Sequence, residues 1–200
     1  MNHHCIDWFG KPVVLASQSP RRRQILSLLI PELIVHPSIY SENNNQADQP
    51  REVVQTHAYH KAISVACHYP DAWIIGADTI VVLGDRILGK PAGATDAIRM
   101  LKMLSDRTHV VYTGYCLLNS ANGKHLSRVE TTAVTFRKLT EQMILYYVDI
   151  HKPWDKAGAY AIQDFSAVFV KKIDGCFYNV VGFPLSAFFD LAVQQLSDCL

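Results

Sequence analysis

A carboxylate set into an apolar strand is the first feature of this sequence that could do chemistry. In WIIGADTIVVL (73–83), the strand period of two puts Ile74, Gly76, Asp78, Ile80 and Val82 on one face. A carboxylate buried there is costly unless it is paired, hydrogen-bonded or bound to a metal. Two readings stand on the residues alone: a working acid or base, or a strand-end aspartate satisfied by nearby backbone N–H groups. The second feature is cationic. In VVLASQSPRRRQILSLL (13–29), Ser19 suits the cap of a helix and Pro20 its first position. Arg21 and Arg22 then fall in the first turn, against the partial positive charge of the helix end. With the free N–H groups of that turn they make a pocket suited to phosphate; the alternative is a solvated, partly paired basic turn.

Other candidates are weaker singly. Lys90, in GKP, lies just past a hairpin that leaves the Asp78 strand, and Lys61 sits on a helix between apolar neighbours. Either reads equally as an ordinary surface lysine. Gln163 and Lys156 lie in WDKAGAYAIQD, a loop that could close over a ligand, where an amide can read a base edge by donating and accepting together. Ser17 and Ser19 lack a marked histidine partner. No Walker loop, dinucleotide Gly-x-Gly-x-x-Gly fingerprint, His-Glu-x-x-His motif or Gly-x-Ser-x-Gly elbow is present. The histidines are scattered and read mostly as surface or half-buried.

The elements that must position these residues alternate between strand and helix before turning to strands. Short strands are expected near 13–16 and in ELIVHPSIY, then a polar loop (SENNNQADQPRE), a helix through EVVQTHAYHKAISVACHY, and the Asp78 strand turning at Gly84-Asp85. A helix capped by Thr95 carries Ile98, Leu101 and Leu104 on one face. HVVYTGYCLLN and SRVETTAVTFRKL form a hairpin, and Thr140 opens a further helix. AVFVKKIDG and CFYNVVGFP are expected to form a second hairpin through Asp174-Gly175. A final helix puts Leu185, Phe188, Phe189, Ala192, Val193 and Leu196 on one stripe. The class is α/β with a mixed sheet.

Bulk properties narrow the function. The 200 residues suit one domain, read as an extension over 1–10 and a single unit over 11–200. A net charge of +1 argues against a dedicated nucleic-acid binder, though a local cluster can still bind a small anion. Five scattered cysteines without a C-x-x-C pair point to reduced thiols in a cytoplasmic chain. The opening MNHHCIDWFGKP lacks the apolar core of a signal peptide, and no run reaches the length of a membrane span.

Together the blocks resemble the Maf family of nucleoside triphosphate pyrophosphatases. LASQSPRRRQIL is similar to its opening signature; GADTIV, GKP, DKAGAYAIQ and KKIDGCFYNVVGFPL follow in the family's order, from about Val13 to Leu191. The resemblance implies an inosine-triphosphate-pyrophosphatase-like fold with a cleft between two lobes. It also implies hydrolysis of a nucleoside triphosphate to monophosphate and pyrophosphate with a divalent ion, Mg²⁺ first and Mn²⁺ or Co²⁺ as alternates. Asp78 matches the family's general base. Arg21, Thr79 and Gln163 match positions tied to base choice, and Gln163 is similar to the dTTP/UTP branch. Ser17 belongs to the substrate-binding signature, Arg22, Lys61 and Lys90 to the phosphate cradle, and Glu42 with Asp78 to the metal. The chain departs from the family pattern at Ser41, where an acid is usual, and at Asp164, where glycine is usual. The implied partners are the nucleotide and a second copy of the chain, with no nucleic acid or membrane. A competing role attached to the family is a nucleotide-binding regulator of cell division with little turnover.

Overall fold

The computed structural model describes residues 6, 8, 10–42 and 49–197. Most of the 1–10 extension, the middle of the polar loop, Cys5 and Cys199 lie outside the described residues. The described elements are β1 (Val13–Leu15), α1 (Pro20–Leu26), β2 (Ile34–Val35), α2 (Pro50–Ala66), β3 (Trp73–Leu83), β4 (Arg86–Leu88) and α3 (Ala94–Leu104), followed by β5 (Thr108–Asn119), β6 (His125–Phe136), α4 (Glu141–His151), β7 (Val170–Asp174), α5 (Phe177–Val181) and α6 (Leu185–Ser197). The strands form one seven-stranded mixed sheet in the order β2-β1-β3-β5-β6-β7, with β4 also on β3. β1 runs parallel to β2 and β3, and the remaining pairs are antiparallel. The α/β class with a mixed sheet is therefore as the sequence suggests.

One edge of β3 creates the opening for a site. β5 pairs with β3 from Trp73 to Val82. On the other edge β1 pairs only at Trp73–Ile75 and β4 only at Val81–Leu83. After Leu15 the chain turns away through Ser17 and Ser19 into α1, because Pro20 favours a helix start and the Ser19 hydroxyl caps it by accepting from the Arg22 N–H at 3.4 Å. The stretch around Asp78 and Thr79 is left with no strand beside it on that edge, so residues from both faces of β3 reach one opening.

The apolar faces of the sheet are filled on both sides. Val13, Leu15, Trp73, Ile75 and Leu117 pack against α1 and α6. Val14, Ile74, Cys116 and Leu118 pack against Ala58, Ala62 and Val65 of α2. The close seat of α2 depends on two glycines. A Cβ at Gly76 would stand 2.0 Å from the Ala58 carbonyl oxygen, and one at Gly114 would stand 2.1 Å from that of Val54. Only residues lacking a Cβ allow the helix backbone to approach this far.

Several expectations are corrected. CFYNVVGFP is no strand: α5 occupies 177–181, and β7 pairs with β6 instead of forming a second hairpin. Asn179 accounts for this, since its buried amide donates to the Val111 carbonyl at 3.2 Å and the Thr132 hydroxyl at 3.0 Å, contacts a strand partner would forbid. Gly93, not Thr95, occupies the cap of α3. α6 buries Phe188, Leu191, Ala192, Gln195 and Leu196, whereas Val193 is exposed. Leu28, which helical spacing groups with Ile25, Leu26 and Leu29, lies beyond the end of α1 and is likewise exposed. Two histidines, His57 and His109, are buried, although the sequence reads the histidines mostly as surface or half-buried. The described cysteines Cys67, Cys116 and Cys176 are free thiols. No helix of the described residues is long and apolar enough to cross a membrane.

Candidate active site

The opening beside β3 is a cleft of about 420 Å³, and every side chain nominated from the sequence lines it: Ser17, Arg21, Arg22, Glu42, Lys61, Asp78, Thr79, Lys90 and Gln163. Residues far apart in the chain therefore converge. Their partners show which could act on a ligand and which mainly hold the site together.

Asp78 is satisfied by side chains, not by backbone N–H groups. Lys61 Nζ donates to its Oδ1 at 2.7 Å and His57 Nδ1 meets its Oδ2 at 3.0 Å. The Lys61 ammonium also reaches Glu42 Oε1 at 2.5 Å and the Ala77 carbonyl at 3.3 Å. Burial pushes the Asp78 pKa up, but the His57 hydrogen bond and the Lys61 and Arg22 charges outweigh it and hold the carboxyl well below its usual range. Asp78 is thus ionised at neutral pH and can only accept hydrogen bonds. Lys61 is no surface lysine, since only 8% of its side chain is exposed. His57 was missed from the sequence; the available signal was its place one helical turn before Lys61 on the face of α2 that meets the aspartate strand.

The two arginines divide their work. Arg22 is buried and already bonded to the protein: Nε donates to the Gly182 carbonyl at 3.0 Å, Nη1 to Ser17 Oγ at 3.2 Å and Nη2 to Thr79 Oγ1 at 3.0 Å. Its burial lowers its pKa, opposed by the charges of Asp78 and Glu42. The expectation that both arginines wait for a ligand is therefore corrected in part, because Arg22 ties α1, β3 and the Gly182 turn together while facing the cleft. Thr79 joins that knot, with Thr113 Oγ1 at 2.9 Å. Arg21 is half-exposed and pairs with Asp155 at 3.1 Å, whose other oxygen holds Lys156 at 2.7 Å. Asp155 was also overlooked, although the motif containing it was singled out.

Lys90 and Gln163 are exposed on the cleft wall. Asp164 does not add a free charge beside Gln163. Its Oδ1 accepts from the Ser166 N–H at 2.9 Å and the Ser166 hydroxyl at 3.0 Å, so it caps the short helical turn that follows. Tyr160 lines the cleft and is backed by His109, whose Nε2 shares a 2.8 Å hydrogen bond with its hydroxyl. Burial holds the His109 pKa down at about 4, against an ordinary value of 6.5. Between those values the unfolded chain binds a proton that the folded one excludes, so stability rises with pH through that window and is lost on acidification. Urea unfolding from pH 7 to 4.5 should show His109→Gln removing up to about 1.4 kcal/mol per pH unit of this slope; identical slopes in both proteins would exclude the effect.

A family model described as Maf-like protein matches residues 12–195. The chain belongs to the Maf-like family. Among relatives of the family, the dTTP/UTP pyrophosphatase of Geobacillus sp. (strain WCH70) is 48% identical over 176 residues, 88% of this chain and 94% of that protein. The dTTP/UTP pyrophosphatase of Pyrococcus furiosus is 45% identical over 175 residues, covering 88% and 90%. Among solved structures, the Staphylococcus aureus Ham1 protein matches at a TM-score of 0.44 and 15% identity, over 63% of this chain and 72% of that one.

Proposed function

We propose that this protein is a nucleoside triphosphate pyrophosphatase that hydrolyses dTTP and UTP between the α- and β-phosphates, releasing monophosphate and pyrophosphate. The observation that carries this reading is an ionised, buried Asp78 facing the same cleft as Arg21, Lys61 and Lys90. A triphosphate brings about four negative charges, which clustered cations offset. The relatives from Geobacillus and Pyrococcus furiosus, both dTTP/UTP pyrophosphatases, support the same chemistry and substrates.

In this reading Arg21 and Lys90 contact phosphate oxygens, and Arg22 keeps Thr79, Ser17 and the Gly182 turn in register around them. Asp78 accepts the proton of the attacking water as the bridging P–O bond breaks, and pyrophosphate leaves with the electron pair of that bond. Thr79 and Gln163, which line the same cleft as Tyr160 and Val181, choose the base in this reading. Glu42 and Asp78 would hold a divalent cation. Supporting this pairing, both carboxylates lie within ion-pair distance of one cation, the Lys61 ammonium. Two carboxylates with phosphate oxygens make the hard donor set Mg²⁺ favours. When bound, such an ion offsets phosphate charge.

The test is direct. Purified protein with Mg²⁺ is offered dTTP, UTP, CTP, ATP and GTP, and monophosphate and pyrophosphate are quantified. Equal amounts of both products, formed fastest from dTTP and UTP, are expected; absence of pyrophosphate from every substrate would overturn the reading. In the same assay, Arg21→Ala and Lys90→Ala each lose a charge-assisted contact and should raise KM by about 10- to 100-fold with little change in kcat. Unchanged KM in both would remove them from the phosphate site.

A further inference from the structure

We propose that His57 is a positioning residue for this reaction: it fixes Oδ2 of Asp78 so that Oδ1 is held toward Lys61 and the cleft. The role in turnover rests on the pyrophosphatase reading, whereas the contact itself does not.

An aspartate carboxylate rotates easily, because its terminal torsion is broad and roughly two-fold. A base that must meet a water in line with a phosphate bridge gains from having that rotation stopped. Here α2 grips both oxygens. Lys61 takes Oδ1, and His57, four residues earlier on the same helix face, takes Oδ2. The imidazole is short and rigid, so its reach depends on how closely α2 lies on the sheet. That approach is the one Gly76 and Gly114 permit. Gly76 is two residues from Asp78 on the same face of β3, and Gly114 on β5 is the register partner of Asp78 itself.

The direction of the bond follows from the acceptor. A carboxylate oxygen accepts, so in this contact Nδ1 of His57 is the donor and carries the hydrogen. His57 and Asp78 have side chains only 4% and 5% exposed, so water is a poor substitute for this bond. Tyr40, on the segment that carries Glu42, covers the imidazole with ring centroids 5.6 Å apart. With His57 gone, Oδ2 has no donor and the carboxylate is free to turn both oxygens toward Lys61 and Arg22.

A side chain that merely filled space would be replaceable by leucine without loss of rate. His57→Leu should therefore lower the thermal midpoint, since it leaves Oδ2 of a buried carboxylate without a donor, and lower kcat for dTTP by about 10- to 100-fold, the usual cost of losing a partner that orients a reacting group, with KM nearly unchanged. His57→Asn places an amide N–H near the Nδ1 position and should recover most of that loss. Long-range ¹H–¹⁵N spectra of the wild-type protein, assigned by the signal missing in His57→Asn, should show a protonated Nδ1. An unprotonated Nδ1, a wild-type kcat in His57→Leu, or equal loss in both variants would overturn the role of His57. A wild-type protein inert toward every triphosphate would instead overturn the pyrophosphatase reading, and with it the reaction His57 serves, while the spectrum still decides the contact.

Discussion

Asp78→Asn lowers turnover of dTTP and UTP by about 10²–10⁴-fold, the range expected for removal of a positioned general base, with triphosphate binding largely kept. The amide has the size and shape of the carboxylate, so the walls of the cleft stay in place. What changes is proton affinity: an amide cannot take the proton of water. Asp78 is already ionised in the resting protein, because His57, Lys61 and Arg22 outweigh the burial that would otherwise raise its pKa. Such a carboxylate is a weak base toward bulk water. It becomes competent when the water is attacking phosphorus and its own proton turns acidic, so transfer and attack occur together. A second consequence concerns pH. A base with a depressed pKa stays active on acidification, and the acid limb of kcat/KM contributed by Asp78 should lie below the ordinary carboxyl value of 3.8. Steady-state kinetics with equilibrium binding of a non-cleavable dTTP analogue separate the effects. An undiminished kcat would remove Asp78 from proton transfer; equal losses of binding and rate would make it a binding group instead.

What could be read from the sequence was whatever depended on neighbours in the chain. The Ser19-Pro20 helix start, the face of β3 carrying Asp78, the β5–β6 hairpin and the Thr140 cap are local consequences of side-chain type and period, and each is observed. The segment 177–181 was misread for the opposite reason. Phe, Tyr and Val favour a strand in isolation, yet the position is decided by the Asn179 amide bonding to β5 and β6, which no local pattern contains. The same limit explains the site. Arg21, Asp78 and Lys90 could be nominated by type and motif, but the knot around Arg22 needs Gly182, 160 residues later, to accept from its Nε. His57 needed the distance between α2 and β3, encoded in two glycines on different strands. Asp164 stands from the sequence only as a departure from the family's glycine; the structure turns it to Ser166, a local cap that becomes visible only once the following turn is known to be helical.

Lys61→Met should destabilise the protein by about 3 kcal/mol at neutral pH, the low end of the cost of breaking a buried ion pair by removing one partner. Methionine fills the volume of the lysine stem, so little of the effect comes from a cavity. The cost arises at Asp78, whose side chain is 5% exposed and would keep its charge with one cation fewer, now facing Glu42 without an ammonium between them. Glu42 is 30% exposed and partly served by water, and Arg22 and His57 remain near Asp78; both facts hold the cost at the low end. Adding Asp78→Asn to Lys61→Met removes the stranded charge, so the double variant should be more stable than Lys61→Met alone, with a coupling of about 1–3 kcal/mol between the sites. The pH dependence has a fixed sign. A carboxyl whose folded pKa is depressed contributes stability above its unfolded value of 3.8 and loses it as pH falls toward the folded value. The lead of the wild type over Lys61→Met should therefore be full at neutral pH and shrink on acidification toward the depressed folded value, because the less-paired carboxyl of the variant protonates first. Urea unfolding of the three variants and the wild type, read at constant m, measures each quantity. Equal midpoints for wild type and Lys61→Met at pH 7 would mean that the ammonium offsets its own desolvation and nothing more, leaving only the charge it adds to the cleft as a reason for a lysine there.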